Sequence, residues 1–149
     1  MKKEIFLDLL KHFLCSSVIG VVLSFTFNNW WLVLASFLSG QLIDIDHFFD
    51  YFWGKTSKLN LRDFFDPEKY VVPSQKVFVL FHGWEFVLFF IFIGGKLNSQ
   101  CPGILFALPL SYFVHLLIDQ LGSAGSPFSY FLTYRLLNKF SLTAYNGNK

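Results

Sequence analysis

The sequence predicts an all-α, polytopic membrane protein with four transmembrane helices and an interfacial C-terminal helix. Three observations carry that prediction. Hydrophobic residues make up 54% of the 149 positions, and mean hydropathy is +0.48. Charged residues are only 15%, against roughly 25% in soluble domains. Four apolar runs, each close to the roughly 20 residues that cross a bilayer, are separated by short polar or glycine-rich breaks. A soluble fold of this size has too little polar surface to cover 21 phenylalanines. The net charge of +2 is too small to point to nucleic acid. Cys15 and Cys101 match no zinc or redox spacing.

The first helix is expected at about residues 5–27, ending at Asn28-Asn29. Lys2 and Lys3 precede it as in a signal peptide. The run is too long for a signal h-region and lacks a small-residue cleavage site, so it is expected to stay as a membrane helix. The second helix is expected at about 30–53, stopped by Gly54, with Trp30, Trp31, Tyr51 and Trp53 near its ends as aromatic belts are. A polar stretch from 55 to 73 follows, with a short apolar patch at 61–65. The third helix is expected at about 74–94, starting at Ser74 and ending at Gly94-Gly95, and the fourth at about 103–121. The tail from about 127 to 142 reads as a helix lying on the membrane surface, with Arg135 and Lys139 near headgroups. The whole chain, 1–149, is expected to form a single membrane-embedded domain.

Orientation follows from the basic residues. With four crossings, eleven of the twelve Lys and Arg residues fall on one side and only Lys96 on the other. The positive-inside rule then places both termini in the cytoplasm; the membrane itself is expected to be a bacterial-type cytoplasmic membrane.

The chain has four histidines, and each lies near a carboxylate in an apolar segment: Asp8 and His12; Asp44, Asp46 and His47; His82 and Glu85; His115 and Asp119. Ionisable groups within a membrane are costly and default to a functional role. At a rise of about 1.5 Å per residue, His12, His82 and His115 each lie roughly 10–12 Å from the cytoplasmic helix ends, in one layer. Residues at i, i+3 and i, i+4 share a helix face, so each pair can point inward together. Helical bundles build metal sites from such carboxylate and histidine sets. The expected ligands are His12, Asp46, His47, His82 and His115. Asp44, Glu85 and Asp119 are expected to serve as further ligands, as orienters of the histidines, or as the catalytic general base. The donor set suits a divalent transition metal, zinc foremost, with manganese or iron as alternatives. Arg135 is a candidate for a substrate headgroup, although a general lipid anchor is the commoner role. Asp8 with Lys11 reads equally well as a surface pair, and Asp50 as a solvated residue near the boundary.

Ile43-Asp44-Ile45-Asp46-His47, with His12 and the block from His115 to Asp119, resembles the small membrane-bound metal-dependent hydrolases, including the LexA-regulated inner-membrane group. The resemblance spans about residues 11–125. It implies a polar site made of His12, Asp44, Asp46, His47, His82, His115 and Asp119. Ile43 stands where that family has proline. In the third block His82-Gly83-Trp84-Glu85 lacks the family's first His and its Arg.

The expected function is metal-dependent hydrolysis of a phosphoester or ester, on a membrane lipid or lipid-linked substrate at the cytoplasmic side. Two alternatives use the same residues. One is a proton or metal-ion transporter or channel subunit. The other is a non-catalytic assembly protein whose polar cluster fixes helix packing.

Overall fold

The computed structural model describes residues 3–54, 58–122 and 125–147, with side chains from residue 5 onward. Lys2, Lys55 and Lys149, counted in the orientation argument, lie outside the described residues.

The protein is an all-α membrane protein. Its main helices are α1 (Lys3–Phe27), α2 (Trp31–Gln41), which opens a longer apolar span, and, later in the chain, α7 (Ile104–Gly122). Between α2 and α7 come a 3₁₀ turn (Leu42–Asp46), α3 (His47–Gly54), the short α4 (Leu61–Phe64) and α5 (Glu68–Ser74), and α6 (Glu85–Leu97). Two short helices, α8 (Leu132–Leu137) and α9 (Leu142–Asn146), follow α7. Three segments are long and apolar enough to span a bilayer: Ile5–Phe27, Trp31–Gly54 and Ile104–Gly122. The expected third membrane helix at 74–94 is replaced by a 13-residue helix, α6, that starts eleven residues later.

Burial is inverted relative to a soluble protein. Large apolar side chains such as Val18, Val22, Phe25, Leu88, Phe92 and Leu121 point outward, while Ser16, Ser36, Ser39 and Ser111 are buried. Lipid tails are as apolar as leucine, so nothing drives leucines inward; small residues sit between helices because they let backbones approach. α1, α2 and α7 pack mutually, and α6 lies against α7. Gly20 shows the tightness: a Cβ there would stand 2.8 Å from Val33 Cα on α2.

The second membrane span bends where the site begins. After Gly40 and Gln41 the chain tightens into the 3₁₀ turn, then resumes as α3. Such a turn shifts amides to i−3 carbonyls. The Gly40 carbonyl accepts a hydrogen bond from His115 Nδ1 on α7, 2.7 Å away.

The segment 75–84 is irregular. Gln75 and Val79 have positive φ, 54° and 30°, which a β-branched residue such as Val79 adopts only under constraint. Asp50 supplies that constraint, accepting from the Phe78 amide at 2.5 Å and the Val79 amide at 3.0 Å. Asp50 is therefore buried, not solvated as the sequence suggested. The left-handed Gln75, which ends α5, and these carboxylate anchors explain why the expected helix does not start at Ser74.

The tail also departs from expectation. Lys139 and Phe140 take positive φ and break it into two helices. It pairs with the irregular segment through Val77 N to Phe140 O, Leu142 N to Gln75 O and Trp84 N to Tyr130 O, at 2.9–3.0 Å. It is thus a clasp over residues 75–84, not a free surface helix. Arg135 is buried in it, far from a headgroup-exposed position.

Candidate metal centre

His82 and His115 are fixed in the same way from opposite sides. Asp46 Oδ2 accepts from His82 Nδ1 at 3.1 Å, and also from the Phe81 amide at 2.5 Å. The Gly40 carbonyl holds His115 Nδ1. Carboxylate and carbonyl oxygens only accept, so each Nδ1 carries a hydrogen, and in the neutral imidazole Nε2 then presents its lone pair. That is how ligating histidines are normally oriented.

The two Nε2 atoms meet the same carboxylates. His82 Nε2 lies 3.4 Å from Asp44 Oδ1 and 3.4 Å from Asp119 Oδ2. His115 Nε2 lies 3.4 Å from Asp44 Oδ1 and 3.1 Å from Asp119 Oδ2. Ligands about 2.0–2.1 Å from a zinc ion stand roughly 3.3 Å apart at tetrahedral angles. Despite these short separations, His115 Nε2 makes no hydrogen bond. Imidazole nitrogens and carboxylate oxygens converging at these distances could hold a cation. On the opposite face of Asp119, Oδ1 lies 3.0 Å from His12 Nε2, and Asp8 Oδ2 lies 3.5 Å from the same nitrogen.

Among the described residues, three sets bring potential ligand atoms within 4.8 Å of one another: His12, His115 and Asp119; Asp44, His82 and His115; Asp46, His47 and His82. The expected histidines and the aspartates of the second and fourth segments therefore come together. Their places differ. Asp46 stands behind His82, where it orients the ring, although its Oδ1 has no hydrogen bond. His47 is at the rim, over a third exposed, with Nε2 3.8 Å from Asp44 Oδ1.

Glu85, expected as a catalytic carboxylate, faces elsewhere. It accepts from the Leu132 and Thr133 amides at 3.0 and 2.9 Å and from the Thr133 hydroxyl at 2.7 Å. It thereby caps α8, whose own N-cap, Phe131, offers no side-chain acceptor. The i, i+3 pairing with His82 fails because His82 precedes α6 instead of lying within it. Arg135 donates to the His82 carbonyl at 2.8 Å and braces the ligand's backbone. Burial pulls its guanidinium pKa below the ordinary value. Tyr112, which sequence reasoning missed, also donates to this backbone, at the carbonyls of Phe81 and Gly83.

A cavity of about 520 Å³ opens onto the cluster. Asp8, His12, Asp44, His82 and Asp119 form its polar end, and Ile5, Leu9, Phe64, Phe65 and Tyr70 form much of its apolar wall. No family model, curated protein or solved structure matches this chain.

Proposed function

We propose that this protein is a membrane-embedded, metal-dependent hydrolase of a phosphoester or ester in a lipid or lipid-linked substrate, working at the cytoplasmic side of a bacterial-type inner membrane. The observation that carries the proposal is the anchored pair His82 and His115, whose Nε2 atoms converge with Asp44 and Asp119 at the polar end of the cavity.

Asp44, His82, His115 and Asp119 would hold the ion. Once bound, a divalent cation lowers the pKa of a water and polarises the scissile group. Asp46 and the Gly40 carbonyl keep the two imidazoles in the ligating tautomer. The apolar wall receives the chain of an amphiphile, while the polar end receives its ester. The volume suits a headgroup and the first part of a chain, within the about 300–1,000 Å³ of small-ligand sites. Zinc, manganese and iron all suit imidazole with carboxylate.

The test combines elemental analysis with hydrolysis of phospholipid in mixed micelles by protein purified in mild detergent. A bound transition metal and chelator-sensitive release of product are expected. Stoichiometric metal without turnover, together with ion flux in proteoliposomes, would favour transport instead. The cytoplasmic placement of residues 55–73 is tested by cysteine labelling in intact cells. An impermeant reagent added outside is expected to leave an engineered cysteine there unlabelled.

A further inference from the structure

The donor set around Asp119 is divided in two. Oδ2 faces His82 and His115, which also share Asp44. Oδ1 faces His12, whose other close carboxylate oxygen is Asp8 Oδ2. Asp8 turns its remaining oxygen toward Lys11, 3.9 Å away, so the surface pair and the contact with His12 coexist. His12 is buried, and its Nδ1 has no hydrogen-bond partner. Its Nε2 is the ring atom turned toward the two carboxylates.

One ion cannot use this set well. Asp8, His12, Asp44, His82, His115 and Asp119 together would supply six protein ligands, whereas catalytic zinc sites keep about three and leave a position open. Divided at Asp119, the set becomes a four-ligand inner site and a three-ligand outer site, and the outer one keeps the open position of a catalytic ion. The inner one has Asp44, His82, His115 and Asp119 Oδ2; the outer one has Asp8, His12 and Asp119 Oδ1. The His12 and His115 rings are tilted by 32° with centroids 4.0 Å apart, one on each side of the Asp119 carboxylate. Both Asp8 and His12 line the cavity, so the outer position is open to substrate.

We propose that the protein binds two divalent transition-metal ions bridged by the Asp119 carboxylate, with Asp8 and His12 as ligands of the outer ion. The inference rests on the metal assignment made for the inner site. Two ions would clamp both sides of an ester oxygen or phosphoryl group in the substrate.

The experiment loads metal-free, detergent-purified protein with Mn²⁺ by equilibrium dialysis. It compares wild type, Asp8→Asn and His115→Ala by elemental analysis and electron paramagnetic resonance. Asp8 is half exposed, so its amide variant leaves the packing intact. Wild type is expected to hold two Mn²⁺ per chain with an exchange-coupled spectrum. Asp8→Asn is expected to lose one ion and all coupling, and His115→Ala to lose the inner ion and the coupling. One ion in wild type overturns the outer site and leaves the inner one standing; no ion overturns both. Two uncoupled ions in wild type, or two coupled ions in Asp8→Asn, overturn the bridged arrangement proposed here.

Discussion

Asp46 Oδ2 takes hydrogen bonds from both the Phe81 amide and His82 Nδ1, so one oxygen fixes the backbone before His82 and the ring of His82 itself. Asp46→Asn should keep the fold and loosen this grip. Removing such an orienting partner typically weakens metal binding about 10–100-fold. Competition against a metal-sensitive dye would measure it. Unchanged affinity would show that the ring is held by its other neighbours.

His82→Ala removes a ligand that lies against Asp44 and Asp119. Chelator should lower the melting temperature of the wild type in detergent and leave the variant unmoved, because ligand-linked stability vanishes with the ligand. An equal chelator response in both proteins would count against the metal centre. So would no response in either.

Metal retention should fall in acid. Ligation requires neutral imidazole, so protons compete with the metal for the ligating rings as pH drops. Metal content after dialysis at a series of pH values reads this directly. Retention that does not change through mildly acidic pH would contradict histidine ligation.

Much of this centre could be read from the chain, and its failures have clear causes. Asp44, His115 and Asp119 lie on apolar segments whose helical spacing is simple, and their convergence follows from matched depth. His82 is brought against Asp44 and Asp119 by the structure, but not from within a helix. Pairing it with Glu85 assumed a helix from Ser74, but Asp46, Asp50 and Tyr112 draw residues 78–83 out of any helix. Those are contacts across 28 to 35 residues of sequence, which no local pattern reports. Arg135 was misplaced for the same reason, since its partner is a backbone carbonyl 53 residues away.

Glu85→Ala should free the clasp without touching the metal. Losing a helix-capping acceptor costs about 0.5–2 kcal/mol. Hydrogen exchange at the Leu132 and Thr133 amides is expected to accelerate, with metal content unchanged. Loss of metal in this variant would return Glu85 to the centre.

Gly20→Ala should weaken the α1–α2 contact, because the new methyl meets the backbone at Val33. Overpacking of this kind costs about 1–3 kcal/mol. Thermal melting in detergent is the measurement, with the same change at Gly95, where a Cβ meets nothing within 4 Å, as the neutral control.

The irregular stretch before α6 bears on the order in which the protein is made. Helices with their own internal hydrogen bonds can enter a bilayer singly, whereas bare amides and carbonyls cannot face hydrocarbon. The amides of Phe78, Val79 and Phe81 and the carbonyls of Phe81 and Gly83 find their partners on the second and last spanning segments. Both spans must therefore already stand side by side before this stretch leaves water. His82 is then the last of the clustered histidines to reach its place, after the membrane scaffold around it is complete.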